Sequence, residues 1–167
     1  MSKRGTAAAG NVWTSAWWLH MHDQSFLARV LDGRLPRAPI MNLLEWRLLD
    51  FDEASSVLRV EMQAKSEFLN PAGFVHGGML AAMLDETVAP TVAAGLGPGE
   101  FAVTLEIKVT FVSPAKVGRI VGTGKVVSKG RTICFLEGQL HDADGILLAT
   151  ATATSKITRS VTPRADA

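Results

Sequence analysis

An α+β fold is predicted by three observations: one long helical stretch that is apolar on nearly every face, a run of long alternating strands after it, and glycine-bearing turns that join those strands as hairpins. The helix follows Asn70-Pro71-Ala72-Gly73-Phe74-Val75-His76-Gly77-Gly78, whose Asn-Pro and glycines write a tight turn, and it runs on through Met79, Leu80, Met83, Leu84 and Val88. A helix apolar all round is a buried one. Asp85 and Glu86 interrupt it, and a carboxylate in such surroundings costs free energy unless it is paired or neutralised. The same surroundings shift a carboxyl pKa in the way that a general acid or base often needs.

The 167 residues suit one domain with a sizeable core plus extra chain at the ends: an N-terminal extension over 1–25, a domain over 26–157 and a tail over 158–167. With 47% hydrophobic and 20% charged residues the composition is that of an ordinary soluble protein, and a formal net charge of +1 supplies no field that would select nucleic acid or an anionic membrane. Cys134 is the only cysteine, which excludes an intrachain disulfide and makes a reducing cytoplasm the simplest compartment. Lys3-Arg4 and Ala7-Ala8-Ala9 are like the start of an export signal, but Asn11, Thr14, Ser15 and His20 break any apolar core, so no export is expected. The longest apolar stretch, Met79 to Leu96, holds Asp85, Glu86 and Pro90 and makes a poor membrane span.

Taken in order, the first 25 residues have no clean period. Trp13, Trp17 and Trp18 are expected to lie on the body or on a neighbouring subunit, the alternative being an unstructured start, and His20 and His22 make only a weak metal pattern. Phe26, Leu27, Val30 and Leu31 predict a short helix stopped by Gly33, and Pro36 and Pro39 an extended crossing. Met41 to Leu49 reads equally as helix or strand, followed by a polar turn over Asp50 to Ser55. Leu58, Val60, Met62 and Ala64 alternate with polar residues as in a strand with one wet face. Pro90 should kink or end the regular part of the long helix, and Gly95-Leu96-Gly97-Pro98-Gly99 reads as its C-cap and loop.

Phe101, Val103, Leu105, Ile107, Val109 and Phe111 alternate without a break, which predicts a long strand and puts Thr104 on its wetter face. Strands over Val117 to Ser128, Thr132 to Asp142 and Ile146 to Ile157 follow, with Gly130 and Gly145 expected at positive φ in the two hairpin turns. Gly118, Gly122 and Gly124 suggest bulges or strong bending. The sheet can curl around the helix or form a sandwich with the helix as an appendage. A curled sheet covers only part of an all-apolar helix, so its open side predicts a second subunit.

Asn70, His76-Gly77-Gly78, Asp85 nine residues after His76, Thr104-Leu105-Glu106-Ile107-Lys108-Val109 and Ser113-Pro114-Ala115 together resemble the hotdog-fold thioesterases of the phenylacetic-acid-degradation (PaaI-type) group, which include 4-hydroxybenzoyl-CoA thioesterase-like enzymes. The resemblance runs from about Phe26 to Ile157. It implies a helix wrapped by a curled antiparallel sheet, and a homodimer or dimer of dimers with active sites at the subunit interface. It also implies an acyl-CoA substrate with an aromatic or medium-chain acyl group. Asn70, His76 and Gly77 would come from one subunit and Asp85 from the other, with Thr104 as the hydroxyl that helps to place the acid or water.

In that chemistry the Gly77 N–H holds the charge developing on the carbonyl oxygen, Asp85 activates water as general base or attacks as nucleophile, Asn70 donates to the substrate or fixes the water, and His76 orients the loop or helps to polarise the carbonyl. Gly78 lets the substrate approach the backbone, and Lys129, Arg131 and Lys116 are candidates for the phosphates of coenzyme A. Each residue also has a plain structural role open to it: His76 as a helix cap, Asn70 as a turn former, Gly77-Gly78 as a packing device, Asp85 as half of a buried ion pair. No P-loop, zinc spacing or catalytic Cys-His pair appears, so no cofactor or metal is expected. The alternatives are a non-catalytic acyl-CoA-binding module and a hydratase or dehydratase of the same fold.

Overall fold

Alternation decides the sheet. The computed structural model describes residues 25–159, with strands β1 (Arg47–Asp52), β2 (Val57–Ala64), β3 (Glu100–Phe111), β4 (Gly118–Lys129), β5 (Ile133–Asp142) and β6 (Leu147–Arg159). Helices α1 (Phe26–Leu31) and α2 (Pro39–Leu43) precede them, and α3 (Gly77–Ala94) lies between β2 and β3. Leu58, Val60, Met62 and Ala64 of β2 all face the core, as their spacing requires. The strands form one antiparallel sheet in the order β1-β2-β4-β5-β6-β3, curled around α3, which packs against β2, β3, β4, β5 and β6. This is the curled-sheet arrangement, and the sandwich is excluded.

Several local expectations are corrected. Pro39 does not extend the chain but occupies the first position of α2, where the N–H it lacks would have had no helical partner. Asp50, Phe51 and Asp52 belong to β1 and pair with Arg59, Leu58 and Val57, because Phe51 is a core residue; the turn begins only at Glu53. β6 continues through Thr158 and Arg159, which pair with Phe101 and Glu100, so the strand expected to end at Ile157 runs two residues further. The Trp13–Trp18 cluster, His20 and His22 lie outside the described residues.

Gly122, Gly124 and Gly138 of the sheet serve close packing rather than bulging, whereas Gly118, at a φ of 139°, has open space beside it. A Cβ on Gly124 would lie 2.9 Å from the Thr87 carbonyl oxygen, and one on Gly138 would lie 2.7 Å from Val88 Cγ1. Bare backbone at these points lets α3 settle into the sheet, while the register shift of β4 falls between Val126 and Ser128. Of the two hairpin glycines only Gly145 has positive φ, at 81°.

Pro90 does not end α3, which runs four residues further. Its ring removes the N–H that the Glu86 carbonyl would otherwise accept from, and the indole Nε1–H of the buried Trp46 donates to that carbonyl instead, at 2.8 Å. Trp46 therefore fixes the middle of the helix to the start of the sheet.

Candidate active site

The turn before α3 is shaped by its own side chain. Asn70 Oδ1 accepts from the N–H groups of Ala72 (2.9 Å) and Phe74 (3.3 Å), and Gly73 takes a φ of 81° that suits glycine. Those bonds occupy the acceptor end of the amide and leave its N–H hydrogens to donate outward. The segment is then docked twice: the Val75 N–H donates to the Ala115 carbonyl and the His76 N–H to the Phe68 carbonyl, each at 2.8 Å.

His76 is the N-cap of α3, and its Nδ1 accepts from the Gly78 N–H at 3.0 Å. In the neutral ring this places the hydrogen on Nε2, as a donor away from the helix. The Gly78 N–H is consumed by the cap, so Gly78 contributes space rather than a donor. The Gly77 N–H, at the first helical position, has no acceptor among the described residues and stands at the positive end of the helix dipole. A Cβ on Gly77 would come within 2.9 Å of Phe111 Cζ, so that ring walls the approach to the N–H. Asn70, Gly77, Phe111 and Ser113 share an open cleft of about 370 Å³.

A second cluster lies further along the helix. Thr104 Oγ1 donates to Asp85 Oδ1 at 2.9 Å, which holds the carboxylate and leaves Oδ2 unclaimed by that bond. The contact exists because the pairing of β3 with β6 shifts between Thr104 and Glu106. Leu105 is the extra residue of this bulge. It inverts the facing of the strand: Ala102 and Thr104 face the helix before it, Ile107 and Val109 face inward after it, and Leu105 is 57% exposed. Thr104 is thus on the helix side, against the expectation from unbroken alternation.

Glu86 points elsewhere. It lines a cavity of about 460 Å³ bounded by Leu27 and Val30 of α1, Met41, Ala89 and Pro90 of α3, and Phe101 and Ala102 of β3. Burial pushes its carboxyl up to about 6, and the neighbouring Asp85 charge adds to the rise. Asp85 and Thr104 do not line this cavity; its nearest walls to them are Ala89, one helical turn beyond Asp85, and Ala102, two residues before Thr104 on the same strand face. Sequence reasoning saw α1 but not the cavity it closes, and it passed over Phe111 as a strand end.

The structure brings Asn70, His76 and Gly77 together and Asp85 and Thr104 together, but it does not join the two groups within one chain. Eight residues separate Gly77 from Asp85, which at 1.5 Å per residue is about 12 Å along the helix. Lys129 lies at the far end of α3, where its Nζ donates to the Gly95 carbonyl at 2.7 Å, and the exposed Arg131 is in the adjoining turn. Neither reaches Gly77 of its own chain. Lys116, exposed, follows Ala115 beside the Asn70 cleft. Among the described residues no group of His, Cys, Asp and Glu is placed to hold a metal ion, and no helix is long and apolar enough to cross a membrane.

Comparison with known proteins gives the family of the chain. The family model of the Thioesterase superfamily matches residues 72–149, a span holding His76, Gly77, Asp85 and Thr104. A Saccharolobus solfataricus protein provisionally named an esterase is 31% identical over 121 residues, covering 72% of this chain and 84% of its own. Human acyl-coenzyme A thioesterase 13 is 36% identical over 93 residues, 53% of this chain and 64% of that protein. Among solved structures, a phenylacetic acid degradation-related protein of Ralstonia eutropha, provisionally named a thioesterase, superposes with a TM-score of 0.75 at 37% identity, covering 78% of this chain and 98% of that one. With a helix wrapped by a curled sheet, a free N–H at its start and a hydrogen-bonded acid along its length, the chain belongs to the Thioesterase superfamily and is a thioester hydrolase of the hotdog fold.

Proposed function

We propose that the enzyme hydrolyses acyl-CoA thioesters carrying an aromatic or medium-chain acyl group, at sites shared between two subunits. The observation that carries this reading is the separation of two finished half-sites: a free Gly77 N–H and a Thr104-held Asp85, about 12 Å apart on one helix. Neither half can serve the other within a chain, whereas a second copy in antiparallel orientation brings Gly77 of one subunit to Asp85 of the partner subunit. The edge of β3, free among the described residues and with Val103 and Leu105 about half exposed, supports pairing of two copies along that strand. A homodimer, or a dimer of dimers, follows.

In this site the Gly77 N–H receives the thioester carbonyl oxygen, with Asn70 and His76 Nε2–H as further donors. Asp85 of the partner subunit takes a proton from water as that water adds to the carbonyl carbon. The C–S bond then breaks, and the proton passes from Asp85 to the leaving sulfur, giving free acid and coenzyme A. The nucleophilic alternative, in which Asp85 itself adds to the carbonyl and water cleaves the anhydride, uses the same residues. The cavity beside Asp85 and Thr104 accommodates the acyl group, its apolar walls suiting aromatic and medium chains. Lys116, Lys129 and Arg131, all exposed cations, are candidates for the coenzyme A phosphates, and a reducing cytoplasm suits the single buried Cys134.

Thiol release from phenylacetyl-, benzoyl-, octanoyl- and decanoyl-CoA, with wild type and Asp85→Ala compared, tests the reading. Turnover by the wild type that falls about 100-fold or more in the mutant, with an unchanged circular-dichroism spectrum, is expected. Equal turnover by both proteins would refute the role of Asp85, and acyl-CoA retained without turnover would identify a binding module.

A further inference from the structure

Ser155 presents an unexplained hydroxyl. It stands on the inner face of β6, is only 1% exposed, and its Oγ has no hydrogen-bond partner among the described residues. Leaving a buried hydroxyl unpaired costs stability, and an alanine would fill the same place without that cost. The surroundings are otherwise apolar: Ala153 and Ile157 flank Ser155 along the strand, and Val88, Val92 and Leu96 belong to the cluster above them. Its cross-strand neighbours are Cys134 on β5 and Thr104 on β3.

Thr104 is the neighbour with a complementary need. Its one hydrogen is donated to Asp85 Oδ1, so its oxygen is left as an acceptor with no donor among the described residues. Directly opposed residues on one face of an antiparallel pair have Cβ atoms about 4.5–5.5 Å apart, which brings a serine hydroxyl within reach of a threonine oxygen by rotation about one bond. We propose that Ser155 is a positioning residue for Asp85, its hydroxyl donating to Thr104 Oγ1 so that the Thr104 hydrogen stays directed at the carboxylate. A donor polarised by a second hydrogen bond is a stronger donor, and a bond to the charged form of an acid favours that form. The titratable groups beside this line are Glu86 next to Asp85 on α3 and Cys134 beside Ser155 on β5.

The inference rests on the proposed role of Asp85, so the test carries Asp85→Asn as its own control. Ser155→Ala, Thr104→Ala and the double mutant are assayed for kcat, KM and the pH profile of kcat/KM. Ser155→Ala should lower kcat roughly three- to tenfold at unchanged KM, the worth of one neutral hydrogen bond. It should also move the acidic limb of the profile to higher pH, because the Asp85 carboxylate loses support. In the Thr104→Ala background the same change should have no further effect, and Ser155→Cys, a weaker donor of similar size, should recover part of the loss. A Ser155→Ala enzyme with wild-type kcat and pH profile, or an effect that persists without Thr104, would overturn the proposal while an inactive Asp85→Asn left the catalytic reading standing. An active Asp85→Asn enzyme would overturn both.

Discussion

The indole N–H of Trp46 and the backbone carbonyl of Glu86 are joined at 2.8 Å because Pro90, four residues beyond Glu86, has no N–H to offer. A defect in the helix ladder is thus repaired from the sheet, next to the acid. Trp46→Phe should leave that carbonyl unpaired and create a void, costing about 2–4 kcal/mol in urea unfolding. Pro90→Ala restores a helical donor, so it should recover part of that loss in the Trp46→Phe background; purely additive costs would show that the two residues are not coupled.

Close packing of α3 on the sheet makes a different prediction at each glycine. A Cβ on Gly122 overlaps Thr87 Oγ1 and lies 3.0 Å from Thr87 Cγ2 and from Val60 Cγ2, so Gly122→Ala should lose about 1–3 kcal/mol and regain part of it with Thr87→Ala. A Cβ on Gly124 overlaps Thr91 Oγ1 but also lies 2.9 Å from the Thr87 carbonyl oxygen. Because backbone cannot be trimmed, Thr91→Ala should not rescue Gly124→Ala in the same unfolding assay.

The Glu86 carboxyl titrates at about 6 in the folded protein against 4.5 for the ordinary group, because burial and the Asp85 charge disfavour its ionised form. The unfolded chain therefore releases this proton at lower pH than the folded one. The contribution of Glu86 to stability should be full below about pH 4.5 and be lost as pH rises through about 6, a change of about 1 kcal/mol once the partial exposure of the group is allowed for. Glu86→Gln should remove that part of the slope in a pH series of unfolding curves, and an unchanged slope would place its cause elsewhere.

If the site spans two subunits, activity lost in each of two mutants should return on mixing. Asp85→Ala and Asn70→Ala homodimers should each be nearly inactive, and unfolding and refolding them together should produce heterodimers with one intact site. Random pairing makes about half of the dimers such hybrids, so a quarter of wild-type activity is the approximate expectation. No recovery in well-mixed dimers would confine the site to one chain.

A single turnover in heavy-oxygen water tests for the anhydride. Label in the Asp85 carboxylate marks an anhydride opened by water at the Asp85 carbon, whereas direct attack by water activated by Asp85, or opening of an anhydride at the acyl carbon, places the label in the product acid. Mass spectrometry of the acid and of the peptide containing Asp85 reads both at once.

Much of the fold was legible because burial imposes a period on sequence. The β2 alternation at Leu58, Val60, Met62 and Ala64 and the apolar character of α3 both follow from what each element must cover. The site was legible at Asn70, His76, Gly77 and Asp85, where turn chemistry and a displaced acid leave local marks. What stayed hidden depends on partners distant in the chain. The bulge at Leu105 leaves no trace in a strand that alternates perfectly, because pairing with β6 rather than local preference makes the extra residue. The Trp46 contact spans forty residues, and the Glu86 cavity needs α1 and α3 side by side. The ambiguity at Met41 to Leu49 had a simple origin: that segment holds the end of α2, a turn and the start of β1.

The edge of β3, unpaired among the described residues, bears on how the enzyme would behave at low abundance. A catalytic centre completed by a second copy has no fixed turnover per chain. When monomers dominate, the rate rises with the square of enzyme concentration, and it becomes proportional only once the dimers are saturated. A cell would then set this hydrolysis by how much of the chain it makes, more steeply than for an enzyme complete in itself, and an assay at high dilution would record an inactive protein.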